Sequence, residues 1–293
     1  MNLSLQLVVD GVAIGVIYGL VGLALLMVYR STGVLNFAQG EMAVFCTYIA
    51  WTLIVSLGVS LWLGFAATVA FAFVLGVLVE RLVIRPAGSS HPLAVMIVTI
   101  GLFMVFNSFQ RDWWPAGPKA FPSPFPAGTV DIGSARISAV SIGILIAAAL
   151  VMLCLTFLFR MTRIGLAMRA VVDNPTASSL MGIGNHRIVS LGWGLASAVG
   201  AVAGMLAVNL LLLDPSTAYA LLLFSFAALV LAGMTSPVGV VVCGVLLGLF
   251  NALASGFSIV GTELSIVVTL LALVVVLVVK PGGLFGKAPV IKV

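Results

Sequence analysis

The stretch STGVLNFAQGEM, residues 31 to 42, sets Asn36, Gln39 and Glu41 between two long apolar runs. Two neutral amides and a carboxylate this close together can hydrogen-bond a polar solute or one another. In an apolar medium such groups, and the irregular backbone around glycine, persist only where protein or a water-filled cavity covers them. Asn36, Gln39 and Glu41 are therefore candidates for lining a translocation path. An ordinary loop in which Glu41 caps the next helix explains the same residues equally well.

A second informative segment is RMTRIGLAMRAVVDNPTASSLMGIGNHRIVS, residues 160 to 190. Asp173 or Asn174 can cap a helix whose first turn accommodates Pro175, and Gly182 and Gly184 can close it. Leu180, Met181 and Ile183 among small polar residues suit a groove on a partner protein; an interfacial helix touching only lipid is the alternative.

Other motifs carry less chemistry. GGLFGKAP has the wrong glycine spacing for a phosphate loop, and Ala288 stands where a hydroxyl would reach magnesium. His91 and His186 are far apart, with no HExxH pattern, so they are read as residues at helix ends and no metal site is expected. Cys46, Cys154 and Cys243 lie singly in apolar sequence and read as buried small hydrophobes. Asp10, Glu80, Asp214 and Glu263 fall near expected helix ends, within reach of water or headgroups. Asn107, Asn209 and Asn251 line a path or bond helices together, and the second role is favoured for each. No nucleophile, base or metal constellation emerges, so neither catalysis nor a cofactor is expected.

The elements that must position these residues follow from composition. Only 21 of 293 side chains are formally charged, 62% are hydrophobic, and the mean hydropathy is +1.31. At about 20 apolar residues per span, the chain is expected to be all-α, a polytopic integral membrane bundle of roughly 8 to 10 transmembrane helices. It is expected to form a single domain over residues 1–293. The expected spans are Leu7 to Val28, Met42 to Leu57, Leu61 to Val79, Leu93 to Phe109, Ala139 to Phe159, Ile188 to Leu213, Ala220 to Leu231, Val238 to Phe257 and Leu264 to Val279. Segments 29–41, 111–137 and 160–187 between them are too short for a core of their own.

The net charge of +5 and pI near 9.5 do not imply nucleic acid, because the basic residues flank the apolar runs. Arg81 with Arg85, the arginines of 160–187, and Lys280, Lys287 and Lys292 instead mark cytoplasmic loops. The proline-rich loop 111–137 then belongs outside, with Trp113 and Trp114 as interfacial anchors. Nine full crossings place the N-terminus outside, and a re-entrant segment near residues 31 to 41 would change that parity. The N-terminus lacks the basic region and cleavage site of a removable signal peptide, so the first helix is expected to stay. Gly11, Gly15 and Gly19, Gly200 with Gly204, and Gly244 with Gly248 predict close helix contacts. The scarcity of ionisable groups near span centres argues against a stand-alone carrier using buried carboxylates, so an external energy source is expected.

NFAQGE, RAVVDNPTASSLMGI, LAGMTSPVGVVVCG and KPGGLFGK together resemble, in order along nearly the whole chain, the permease subunits of bacterial branched-chain amino acid ABC transporters, of the LivH and LivM kind. The short chain, beginning at its first helix, is closer to the LivH type. The resemblance implies a permease of the bacterial inner membrane importing leucine, isoleucine or valine. It also implies a second, LivM-type permease, two cytoplasmic ATP-binding subunits that hydrolyse ATP, and an extracytoplasmic substrate-binding protein. Residues 160–187 would then be the loop that enters a cleft on the ATPase, through Arg169, Asp173, Ala177, Ser178, Leu180, Gly182 and Ile183. Two departures bear on cargo. Gln39 stands where many relatives carry histidine, and the turn Met234, Thr235, Ser236, Pro237 is poorer in glycine than usual; urea and short-amide importers share the architecture.

Overall fold

A backbone in lipid has no water to bond its peptide groups, so a chain this apolar satisfies them within helices. The computed structural model describes residues 2–88, 92–126, 128–132, 135–256 and 261–286. Its elements are α1 (Asn2–Thr32), α2 (Gln39–Trp51), α3 (Leu61–Val79), α4 (Arg85–Gly88), α5 (Pro92–Trp113), β1 (Thr129–Ile132), β2 (Ala135–Ser138), α6 (Ala139–Met161), α7 (Arg163–Asp173), α8 (Pro175–Leu180), α9 (Asn185–Ala207), α10 (Thr217–Leu231), α11 (Pro237–Gly256) and α12 (Gly261–Val279). Single π-helical turns, Thr52–Ser56 and Glu80–Ile84, extend α2 and α3.

A helix occupies each of the nine expected spans. Six, within residues 5–32, 61–87, 93–113, 139–161, 185–207 and 237–256, are long and apolar enough to cross a bilayer; Thr217–Leu231 and Leu264–Val279 are shorter apolar helices. α1 and α9 are mostly buried, whereas α3, α5 and α6 turn most of their surface outward. That outward surface is apolar, with Leu63, Leu78, Ile97, Met104, Ile146 and Leu153 exposed, as expected where lipid is the solvent.

Contacts fall at two ends. At one, Ser141 Oγ donates to Asp10 at 2.6 Å, Trp114 Nε1 donates to Thr52 Oγ1 at 2.8 Å, and Lys119 and Leu213 exchange backbone bonds of 2.9 and 3.1 Å. At the other, Arg30 donates to the Thr235 carbonyl, Arg85 donates to the His186 carbonyl at 3.2 Å, and Leu284 N donates to Leu231 O at 2.7 Å. The second end also holds α7 and α8, and is called the basic end below.

The glycine pattern resolves into two seams. A Cβ on Gly15 would stand 2.7 Å from Gly244 O, one on Gly19 2.9 Å from Val241 Cα, and one on Gly11 2.7 Å from Ala252 Cβ. α1 and α11 therefore touch backbone to backbone. In the second seam Gly204 faces Thr47 and Ala43 of α2, with a Cβ placed 2.6 Å from Thr47 Oγ1. At the basic end, Gly233 (φ +79) and Met234 (φ +57) turn the chain between α10 and α11. The segment after α12 clasps this turn: a Cβ on Gly283 would lie 2.6 Å from Gly233 N, and Phe285 packs against Gly239.

Several expectations need correction. α9 ends at Ala207 rather than near Leu213, because residues 208–216 form turns that meet the 111–137 segment through Lys119. That segment carries an antiparallel hairpin, Thr129 opposite Ser138 and Ile132 opposite Ala135. Trp113 is exposed, but Trp114 is buried against Tyr48 and Phe45, so it locks α5 to α2 and does not face the headgroups. Cys154 is exposed on α6, unlike Cys46 and Cys243. Glu80 is buried, out of reach of water. The π turn brings residues five apart onto one face, where Arg85 grips both Glu80 oxygens at 3.1 and 2.9 Å, and Ser190 Oγ donates to Oε2 at 2.5 Å. His91 lies outside the described residues, and His186 sits exposed in the first turn of α9.

The seam makes a direct prediction. Gly15→Leu is expected to cost at least about 1–3 kcal/mol by overpacking and to lower the melting temperature of the detergent-purified chain. Gly101→Ala, whose Cβ has nothing within 4 Å, is expected to leave it unchanged.

Candidate functional site

α1 ends at Gly33, whose φ of +71 and N–H bond to Tyr29 O at 2.7 Å close the helix in the left-handed conformation that glycine adopts without steric cost. The chain then runs without helical structure to Ala38, inside the bundle. Asn36 holds this break: its Oδ1 accepts from Ala38 N at 3.1 Å, and its Nδ2 donates to Gln39 Oε1 at 3.1 Å. Gln39 Nε2 in turn donates to Ala196 O of α9 at 3.1 Å. Gly200 makes the room, since a Cβ there would lie 2.5 Å from that same nitrogen. Phe37 stacks on Phe226 of α10 at 6.0 Å, and Gly40 lies against Ala218 and Leu222. Protein thus covers the irregular backbone on several sides.

Glu41 lies in the first turn of α2 but does not cap it; the N-cap residue is Ala38, with no side-chain cap bond. Its carboxylate is held instead by α5. Asn107 Nδ2 donates to Oε1 at 2.9 Å, and Gln110 Nε2 to Oε2 at 2.8 Å. Arg111 Nε donates to Asn107 Oδ1 at 2.9 Å and extends the chain toward the end opposite the basic one. Gln110 Oε1 has no hydrogen-bond partner among the described residues. Asn36, Gln39 and Glu41 are each no more than 1% exposed. They form two buried polar networks at the start of α2: Asn36 and Gln39 reach α9, and Glu41 reaches α5.

The 160–187 segment sits elsewhere, at the basic end. Thr162 Oγ1 accepts from Gly165 N at 3.1 Å and starts α7, a helix not anticipated from the sequence. Of the two possible caps for α8, Asn174 is the one used: its Oδ1 accepts from Ala177 N at 2.9 Å, with Pro175 in the first turn. Ser178 is buried, and its Oγ donates back to Asn174 O at 2.9 Å. Gly182, with φ +81, ends the helix, and Ile183 N returns to Ser178 O at 3.0 Å. Leu180 and Met181 are 84% and 82% exposed, and Arg169, Asp173 and Ala177 are exposed too. Asn185 Nδ2 donates to Pro175 O at 2.7 Å, fastening α8 to the start of α9.

The two groups of residues do not meet, but α9 links them. It begins at the α8 fastening and carries, at Ala196, the carbonyl that holds Gln39. Near its start Ser190 joins the Glu80–Arg85 pair, so α3 is tied to the same helix. The sequence reading missed Gln110 and Arg111; their spacing of three and four from Asn107 places all three on one face of α5, a signal that was available. It also missed the Glu80–Arg85 pairing, which a spacing of five hides unless a π turn is foreseen.

Residues 7–277 match the family described as branched-chain amino acid transport system, permease component. The chain belongs to this permease family. The permease is 32% identical to the high-affinity branched-chain amino acid transport system permease protein LivH of Escherichia coli K12, over 99% of this chain and 97% of that protein. It is 30% identical to the corresponding protein BraD of Pseudomonas aeruginosa, over 99% and 98%. A solved structure, PsaBC from Streptococcus pneumoniae in complex with Fab, shares its fold at a TM-score of 0.51 and 14% identity, covering 96% of this chain and 93% of that one. The permease is thus a multi-pass membrane protein of the transport class, working with other transporter subunits. In the turn between α10 and α11, Met234 takes a left-handed conformation that a non-glycine residue enters at a cost of roughly 1–2 kcal/mol.

Glu41→Ala would take the acceptor from half-buried Asn107 Nδ2 and leave Gln110 Nε2 only the residue 41 backbone carbonyl, now at 3.2 Å; at about 1–3 kcal/mol for an unsatisfied donor, it is expected to lower the melting temperature of the purified permease. Glu41→Gln, which keeps an acceptor oxygen in the same volume, is expected to lose less. Equal losses in the two variants would deny the carboxamide–carboxylate cluster its role.

Proposed function

We propose that this permease is one half of the membrane path of an ATP-driven importer of leucine, isoleucine and valine in the bacterial inner membrane. It pairs with a second, LivM-type permease and with two cytoplasmic ATP-binding subunits, and an extracytoplasmic binding protein delivers the cargo. The basic end is cytoplasmic, following the positive-inside bias, and the 111–137 segment faces outward. ATP hydrolysis belongs to the partner subunits.

The observation that carries this reading is α8. A six-residue helix, capped at both ends and fastened to α9, presents Leu180 and Met181 almost fully to the outside. Two large apolar side chains held this far out by a rigid cap fit a cleft on another protein. Arg169, Asp173, Ala177, Ser178, Gly182 and Ile183 shape that helix and its approaches. When the ATPases close, α8 would push on α9, and α9 would move Gln39 and Asn36, and with them the start of α2 that carries Glu41, along the path. Such a switch requires contacts that differ between two states, and the bare-glycine seams are surfaces on which helices can slide.

The test is ATP-dependent uptake of labelled leucine, isoleucine, valine and urea into vesicles holding the permease, with and without a second permease, ATPases and a binding protein from the same organism. Leucine-group uptake that needs every partner is the expected result. Uptake by the permease alone would make it a carrier, and uptake of urea or a short amide would change the cargo while keeping the architecture. Gly182→Leu, strained by its positive φ but free of crowding, is expected to insert normally and to uncouple ATP hydrolysis from transport. Normal coupled uptake by that variant would remove α8 from its role.

A further inference from the structure

A cavity of about 490 Å³ opens at the basic end, between α1, α6, α7, α9 and the start of α11. Its volume lies in the range of ligand sites, about 300–1,000 Å³, and its two ends differ in chemistry. The deep part is apolar, formed by Leu23 and Met27 of α1 and Met152 and Leu155 of α6. The rim carries Arg30, Arg160, Arg169 and Asp173. From Leu23 to Arg30 on α1, and from Met152 to Arg160 on α6, the helical rise gives an apolar shaft roughly 10–12 Å deep beneath the charged rim.

The rim has an excess of positive charge. Arg30 is committed, donating to Thr235 O and lying within electrostatic reach of Asp173. Arg160 and Arg169 form neither a hydrogen bond nor an ion pair among the described residues. Two uncommitted guanidinium groups on separate helices, α6 and α7, stand over an apolar shaft that runs along the helix axes. A guanidinium pairs with phosphate through two parallel N–H bonds, and basic pockets between membrane helices select anionic headgroups. A free anion would use the rim and leave the shaft unfilled. An aliphatic amino acid is shorter than the shaft and would meet two arginines with one carboxylate.

We infer that this crevice binds one anionic phospholipid, its phosphate on Arg160 and Arg169 and the upper part of an acyl chain against α1 and α6. The lipid fills the gap beside α7 and so braces the helix that leads into α8. The site stands on the membrane fold and the charge of its rim, and holds whatever the cargo is.

The experiment uses the full chain purified in neutral detergent. Dioleoyl phosphatidylglycerol, dioleoyl phosphatidylcholine and tail-less glycerol phosphate are each titrated, and binding is read by native mass spectrometry and by the shift in melting temperature. The expected result is retention of phosphatidylglycerol and a raised melting temperature, with little response to the other two. R160Q/R169Q is expected to weaken phosphatidylglycerol binding about tenfold or more, R160K/R169K to keep most of it, and Leu155→Trp to weaken it by filling the shaft with the rim intact. Equal binding of the two lipids, undiminished binding by R160Q/R169Q, or competition by glycerol phosphate at matching concentration would overturn the inference. So would efficient disulfide cross-linking of Thr156→Cys to a second permease in native membranes, which would show that protein covers the crevice.

Discussion

The backbone contact between α1 and α11 is the constraint on which the rest of the molecule depends. In lipid there is no hydrophobic gain from pressing one apolar helix on another, so cohesion comes from packing and from polar groups that find each other. Gly11, Gly15 and Gly19 remove side chains from one face of α1, and Gly244 and Gly248 do the same on α11, letting dispersion act at the shortest range. With α1 fixed in this way, α9, α10 and α6 cover its other faces, and Gly33 ends it at a defined place. The interruption that follows begins at an anchored point, so its six residues can be positioned accurately.

Polar satisfaction governs the second level of organisation. Asn36 folds back on Ala38, Gln39 reaches a carbonyl of α9, and Glu41 takes amides from α5. Each bond that repairs the broken helix also fastens a different neighbour. The same economy appears at the basic end, where Arg85 satisfies Glu80 while its remaining nitrogen contacts tie α3 to the start of α9. α9 therefore receives polar bonds from α2, α3 and the α8 region, although it is itself made mostly of small and apolar residues.

The apolar helices were legible in outline in the sequence because lipid imposes a single strong signal, an apolar run of sufficient length. The paired glycines were legible as packing faces, but which face met which was not, since spacing within a helix says nothing about its partner. The α8 cap was readable from Asn174 and Pro175, because capping is local chemistry; Asp173 offered the same chemistry one residue too early, and geometry chose between them. α7 was hidden by its shortness and its amphipathic pattern, with Arg163, Arg169 and Asp173 among apolar residues, which reads as loop when the criterion is transmembrane hydropathy. Glu41 was the hardest case. A carboxylate in a first turn reads as a cap, and only the approach of Asn107 and Gln110 from residues far along the chain reveals its use. Trp114 failed for a related reason: an aromatic belt and a buried aromatic lock have the same sequence signature.

The clasp at the basic end has a consequence in time. The turn through Gly233 and Met234 takes its backbone partner from Leu284 and its cover from Phe285, residues that leave the ribosome only after α11 and α12. Until then the turn is strained at Met234 and unsupported. Its cover arrives last, when the polypeptide emerging behind α12 folds back over the turn. The turn that joins α10 to α11 is therefore completed only by residues made after both helices.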